Sequence, residues 1–214
     1  MRSKIFTRTV GYWPLQESSG QALDYSGNEN HASTTNVSNY GTSGPLGASV
    51  MEFDGEDDYI ELNHWHGTPI TLSVWVKPES TSDSNILRAR PNGSKNYSIE
   101  ISNGNFRFQQ ANGNIDTSVA VNAGEWYHLV NVVEEQGETH RVYVNGRNEG
   151  SIPVDTGYST TSNCYIGSDQ QKGRNFDGRI AHVRVWDYPF PEASIRELYN
   201  ASRGGFSESD SRTL

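Results

Sequence analysis

The run Tyr97-Ser98-Ile99-Glu100-Ile101, then Asn103-Gly104, then Phe106-Arg107-Phe108, sets the structural class. Apolar and polar residues alternate on both sides of an Asn-Gly pair. Alternation at period two sends one set of side chains to a buried face of a strand and the other set to the opposite face. Asn-Gly accepts positive φ at both central positions of a two-residue turn, so the stretch predicts an antiparallel hairpin. The same grammar recurs along the chain. Thr71-Leu72-Ser73-Val74-Trp75-Val76-Lys77 alternates and stops at Pro78, and residues 126–133 form a long apolar strand. Arg141-Val142-Tyr143-Val144 runs into a second Asn-Gly pair at Asn145-Gly146 and resumes at Arg147. Within residues 180–186, alternation places Ile180, His182, Arg184 and Trp186 on one face and Ala181, Val183 and Val185 on the other. About fourteen strand candidates at turn-punctuated spacing predict an all-β, two-sheet antiparallel sandwich.

One short C-terminal helix is expected. Pro191 sits at its start, Glu192 favours the first turn, Ile195, Leu198 and Tyr199 share a face, and Gly204-Gly205 ends it. Residues 1–205 read as a single domain and residues 206–214 as a polar tail, with no linker, repeat or low-complexity segment between them. A chain of 214 residues buries enough surface to fold without disulfides, and its one cysteine, Cys164, reads as a small buried hydrophobe. The net charge is −9, which removes the basic footprint of nucleic-acid or anionic-lipid binding. Only four of the 17 basic residues are lysines, Lys4, Lys77, Lys95 and Lys172. Acidic excess with few lysines fits a protein kept soluble at high salt, as in a halophile, and equally a moderately acidic domain. No apolar run approaches the length of a membrane span, and residues 1–10 carry positive charge without the apolar core of a signal peptide.

Several segments in order resemble the laminin-G-like jelly-roll family of the concanavalin A-like lectin/glucanase superfamily. They are Gly11-Tyr12-Trp13-Pro14-Leu15, Asp24-Tyr25-Ser26-Gly27-Asn28-Glu29-Asn30, Met51-Glu52-Phe53-Asp54-Gly55 with Asp58-Tyr59-Ile60-Glu61-Leu62, Leu72-Ser73-Val74-Trp75-Val76-Lys77-Pro78, Gly124-Glu125-Trp126-Tyr127-His128-Leu129-Val130, Tyr143-Val144-Asn145-Gly146, and Phe176-Asp177-Gly178-Arg179-Ile180 with Arg184-Val185-Trp186. The resemblance covers about residues 10 to 200 and implies a concanavalin A-like jelly roll. It also implies a structural calcium near the 24–30 loop. Asp24 would give a carboxylate and Asn28 and Asn30 carbonyl oxygens. The alternative is a metal-free turn stapled by Asx hydrogen bonds. The chain departs from the family at Ala181-His182, where many relatives carry an acidic residue.

Other candidate sites follow from the residues. Asn63-His64-Trp65-His66-Gly67 reads as an exposed loop where Trp65 stacks on a sugar and His64 and His66 bond its hydroxyls, or where Trp65 caps the core. Arg88 and Arg90, with Tyr97 across a turn, form a second candidate face for an acidic glycan. Trp13, Trp75, Trp126 and Trp186 sit in apolar strand patterns and are expected in the core. Glu52, Asp54 and Glu56 have the E-x-D-x-E spacing of laminarinase-type glucanases, and one strand face can hold two carboxyls the about 5 Å apart that retaining hydrolysis uses. Gly55 argues for a turn there instead. The expected function is therefore a non-catalytic binding or adhesion domain. It would recognise glycans or cell-surface glycoproteins, act outside the cell or on a virion surface in host attachment, and work alone or as a homo-oligomer. A purely structural virion or surface-assembly protein, and a polysaccharide hydrolase or lyase, are the rival readings.

Overall fold

The computed structural model describes residues 8–37, 39–44, 49–62, 67–89, 96–111, 113–154, 164–169 and 174–203. His64, Trp65, His66, Arg90 and the tail lie outside them. The described residues form fifteen strands in two antiparallel sheets and one helix. In spatial order, the first sheet is β13 (Arg147–Pro153), β12 (Thr139–Val144), β11 (Tyr127–Val133), β6 (Ile70–Pro78), β15 (Asp177–Trp186), β4 (Ser49–Asp54) and β3 (Asn39–Ser43). Beside β4, the free edge of β15 also takes β1 (Thr9–Trp13). The second sheet is β10 (Gly113–Ala120), β9 (Asn105–Ala111), β8 (Asn96–Ser102), β7 (Ser84–Ala89), β14 (Cys164–Ile166), β5 (Tyr59–Leu62) and β2 (Ser33–Thr35).

Both Asn-Gly pairs make the expected turns. Asn103 and Gly104 have φ of 52° and 74°, and Asn145 and Gly146 have φ of 50° and 76°, the double positive φ of a type I′ hairpin. The first turn fixes the β8–β9 register, pairing Ser102 with Asn105, Glu100 with Arg107 and Ser98 with Gln109. The apolar members of these strands, Tyr97, Ile99, Ile101, Phe106 and Phe108, join one core cluster with Phe53, Leu72, Val74, Leu129 and Val183 from the facing sheet. Tyr97 is thus a core residue on the face opposite Arg88, not part of a glycan-binding pair with it. Cys164 is buried in β14, as expected.

The helix α1 (Glu192–Arg203) packs Ile195 and Leu198 on the outer face of the first sheet, against Val130, Val132, Tyr143, Trp186 and Phe190. Thr71 clamps the approach to it: its Oγ1 donates to the Tyr188 carbonyl (2.6 Å) and accepts from the Phe190 N–H (2.9 Å). Trp13, Trp75 and Trp186 are buried, whereas Trp126 precedes β11 and is only half-buried against Trp75.

Strict alternation fails in β15. Its pairing with β6 shifts register between Ala181 and Arg184, and His182 has φ of 51°. The extra residue reverses the phase, as a bulge does. Ile180 faces the core together with Val183 and Val185, while Ala181 and Trp186 face outward.

Among the described residues three histidines are buried: His128, His140 and His182. His140 Nε2–H donates to Asn131 Oδ1 (2.5 Å). Burial holds the imidazoles of His128 and His140 down to about 3 and that of His182 down to about 4. The unfolded chain titrates histidine near 6.5, so it binds the extra protons as pH falls. The histidines' contribution to stability is therefore complete above about pH 6.5 and lost progressively toward pH 3, while the raised carboxyls of Asp58, Glu100 and Asp177 act in the opposite sense. At pH 4.5 each fully buried histidine should cost about 2–3 kcal/mol relative to neutrality. Urea unfolding at pH 7.5 and pH 4.5 should show this loss, and His140→Gln should shrink it by about one histidine's share.

Candidate functional site: the outer face of the seven-stranded sheet

With the apolar residues of β8 and β9 turned inward, Ser98, Glu100, Arg107 and Gln109 share the outer face. β7 adds Arg88 opposite Ser98, and β14 adds Tyr165 opposite Arg88, with Glu61 of β5 beyond it. On the other side, β10 places Asp116 opposite Arg107. The result is a polar band across six adjacent strands.

The charges in this band are paired. Glu100 is 4% exposed and lies 3.8 Å from Arg107 and 3.5 Å from Arg174. Burial raises its carboxyl, opposed by the nearby Arg174, Arg107 and Arg88 guanidiniums. Arg107 Nε–H donates to Asp116 (2.5 Å) and Arg174 to Asp83 (2.8 Å). Arg88 lies 3.5 Å from Asp169. Ser98 Oγ–H donates to Gln109 Oε1 (3.4 Å) and Tyr165 O–H to Glu61 Oε1 (3.3 Å). Burial pushes the Tyr165 phenol up to about 12, so it remains a donor at neutral pH. The half-buried Tyr59 ring meets the Tyr165 ring edge-on at 6.0 Å. Ion pairing holds these heads in fixed directions, which lowers the entropy cost of binding a polar ligand.

The 24–30 loop is organised differently. Asp24 Oδ1 accepts from the Tyr12 and Ser26 N–H groups (both 2.8 Å), and Oδ2 accepts from Ser26 Oγ–H (2.7 Å) and the Asn30 N–H (3.0 Å). Four donors fill the acceptor capacity of one carboxylate. Asn28 donates its amide to the Thr9 and Val10 carbonyls and Asn30 to the Val10 carbonyl, while the Asn30 carbonyl accepts from Trp13 Nε1–H. A cation at Asp24 would have to displace those donors. Next to the loop, Tyr12 Oη and His182 Nδ1 are 2.9 Å apart, at the position where the family pattern has an acid.

Glu52, Asp54 and Glu56 do not share a strand face. β4 ends at Asp54, Gly55 has φ of 76°, and Glu56 lies in the turn with its N–H bonded to Asp54 Oδ1 (2.8 Å). Glu52 pairs with Arg179 at 3.2 Å. Elsewhere, Ser73 Oγ and His128 Nε2 are 2.7 Å apart. His128 is fully buried, stacks on Trp75 and Tyr199, and has no partner on Nδ1. Without an orienting acid, and with its basicity depressed by burial, this pair has the makings of packing rather than of a nucleophile. The three acids Asp54, Asp57 and Asp58 do come together, their carboxylate oxygens within 4.8 Å of one another. Burial raises the Asp58 carboxyl to about 6.

Of the candidate site residues among those described, Arg88 belongs to the polar band, while His64, Trp65, His66 and Arg90 lie outside the described residues. Glu100, Arg107 and Gln109 were available from the pattern, since a two-residue turn between alternating strands dictates which polar residues face each other. Arg174 and Asp169 come from distant segments and carry no sequence signal.

A laminin-G family model, described as the concanavalin A-like lectin/glucanases superfamily, matches residues 54–196. The chain belongs to this superfamily. No curated protein matches it in sequence. Solved structures share its fold. Domain 4 of AbnA, an extracellular arabinanase from Geobacillus stearothermophilus solved with arabinotriose, aligns over 90% of this chain and 98% of its own, with TM-score 0.72 and 19% identity. The binding domain of Paraclostridial Mosquitocidal Protein 1 aligns over 92% of this chain, with TM-score 0.75 and 15% identity, and this chain covers 53% of it. A Trypanosoma rangeli sialidase mutant displaying trans-sialidase activity aligns over 90% of this chain, with TM-score 0.69 and 17% identity, and this chain covers 32% of it. At such identities the likeness shows the jelly-roll fold. Among the described residues no helix is long and apolar enough to cross a membrane.

The Asp24 network should hold the loop without metal. Asp24→Ala should cost about 2–3 kcal/mol in urea unfolding in the presence of EDTA, the scale of charged hydrogen bonds lost from a buried acceptor. A cost that appears only with added calcium would show that a cation, not the N–H donors, organises the loop.

Proposed function

We propose that this chain is a non-catalytic glycan-binding domain that takes its ligand on the outer face of the seven-stranded sheet, as an adhesion module on an exposed surface. The observation that carries this is the band of paired Arg88, Glu100, Arg107 and Gln109 heads, flanked by the Tyr59 ring. Sugar hydroxyls donate and accept at once, and the half-buried Arg107 and Gln109 heads with the exposed Asp116 carboxylate offer both roles along one surface, held in place by the buried Ser98, Glu100 and Tyr165. Tyr59 supplies a ring edge or face for the apolar side of a pyranose or furanose. Because Asp169, Glu100 and Asp116 offset the arginines, the surface suits a hydroxyl-rich glycan better than a polyanion.

Support comes from proteins of the same fold. One neighbour was solved with arabinotriose, and a botulinum neurotoxin D ligand-binding domain with N-acetylneuraminic acid. Screening the full chain on a broad glycan array, with and without calcium, should find a hit. Arg107→Ala and Gln109→Ala should each weaken that hit by at least about tenfold, or about 1.4 kcal/mol, with the fold intact by circular dichroism. No binding across the array, or binding unchanged in the Arg107→Ala/Gln109→Ala double variant, would overturn the reading.

A further inference from the structure

The turn between β4 and β5 gathers three carboxylates that the glycan face does not use. Asp54 and Asp57 reach solvent, while Asp58 is 2% exposed. Local hydrogen bonds explain part of the arrangement: the Asp54 N–H donates to Asp58 Oδ2 (3.0 Å) and the Glu56 N–H to Asp54 Oδ1 (2.8 Å). The other oxygen of Asp58, Oδ1, is buried and meets no donor. A buried acceptor without a partner is costly, and more so in a carboxylate with two others beside it.

Among the described residues the other three acids with buried side chains each have a partner, although Oε2 of the half-buried Glu17 has none. Asp24 has its N–H and O–H donors, Glu100 has Arg107 and Arg174, and Asp169 has Arg88. At this turn Asp58 has one N–H donor, on Oδ2, and none on Oδ1. Asp177, the register partner of Asp54, adds a further acid, and Arg179 is engaged by Glu52. Asp54 and Asp57 thus place negative charge beside Asp58, one of whose oxygens has no donor.

We propose that Asp54, Asp57 and Asp58 bind a divalent cation, calcium, through these carboxylate oxygens. All three donors are hard oxygens with no imidazole or thiolate among them, which selects calcium or magnesium over zinc. Calcium accepts six to eight ligands in irregular geometry and completes its shell with water on the open side, whereas magnesium demands a near-ideal octahedron. A glycine-kinked turn with one buried and two solvent-facing carboxylates meets the first requirement and not the second.

The site also connects to the polar band. Asn175 Nδ2–H donates to the Glu56 carbonyl, and Asn175 Oδ1 accepts from Ser168 Oγ–H (2.8 Å). Ser168 adjoins Asp169, the partner of Arg88. Gly167 lies so close to the Phe53 ring that a Cβ there would come within 2.5 Å of it. A cation that firms the turn therefore firms the segment that carries Asp169, although the cation site stands without the glycan reading.

Calorimetric titration of the EDTA-stripped full chain with calcium chloride tests the proposal, with melting temperature and sensitised terbium emission as second readouts. One calcium per chain should bind below about 1 mM, the range of weak extracellular sites, and raise the melting temperature by a few degrees. Magnesium should bind more weakly. Asp57→Asn, at a partly exposed position, should leave the metal-free melting temperature unchanged and weaken calcium at least tenfold, and Asp58→Asn should abolish it. No heat and no thermal shift in the parent chain would overturn the proposal. So would calcium binding undiminished in Asp57→Asn, or binding lost in Asp24→Asn but kept in Asp57→Asn, which would put the ion in the other loop. Glycan binding is scored separately, so either reading can fail alone.

Discussion

The burial of Tyr97, Ile99, Ile101, Phe106 and Phe108 between the two sheets governs where every polar group of the candidate face can be. A strand offers its side chains only two directions. Once the apolar set is inside, Ser98, Glu100, Arg107 and Gln109 must lie outside, in the order that the Asn103-Gly104 turn dictates. A slip of one residue would expose the phenylalanines and drive Glu100 and Arg107 into the core. Each exposed phenylalanine forfeits about 1.5–3 kcal/mol of burial, and each buried ion costs several more. The register is therefore held by a margin comparable to a typical domain's whole stability, and the geometry of the face inherits that margin.

The same logic says which parts of the molecule were legible in sequence. Hairpins closed by Asn-Gly were, because turn chemistry and alternation act over a dozen residues. The helix was, because Pro191 and the Ile195-Leu198 spacing are local. The phase of β15 was not. His182 adopts positive φ and inserts a residue into the β6 pairing, and nothing in its chemistry announces this, since histidine is only modestly tolerant of that conformation. Tyr97 was assigned to the face of Arg88, although it directly opposes Ala89 and so belongs to the inner set. Arg174 and Asp169 were illegible for a different reason: their roles depend on tertiary approach of segments far apart in the chain.

The two acidic loops differ in how far the protein's own donors satisfy their carboxylates. The 24–30 loop is rich in Asp, Asn and Gly and resembles a family calcium position, so it drew the sequence reading. In the structure its aspartate is served by four protein donors, and its asparagines spend their amides on backbone carbonyls. The 54–58 segment is a turn, as Gly55 implies, and its geometry does not support the E-x-D-x-E catalytic spacing. What distinguishes it is a single oxygen of Asp58. Whether a carboxylate calls for a cation depends less on how many acids surround it than on how many N–H groups point at it.

The two surfaces also differ in what disturbs them. The polar band is a network of opposite charges whose members fix one another, so removing one head changes the directions of its neighbours as well as its own contacts. The 54–58 turn is an assembly of like charges held by the backbone, so it gains order only from something added. Ser168 and Asn175 join the two through side-chain hydrogen bonds, one reaching the Glu56 carbonyl and the other sitting beside Asp169. A preorganised face and a fillable turn thus share one short segment, and the order available to the first depends in part on the state of the second.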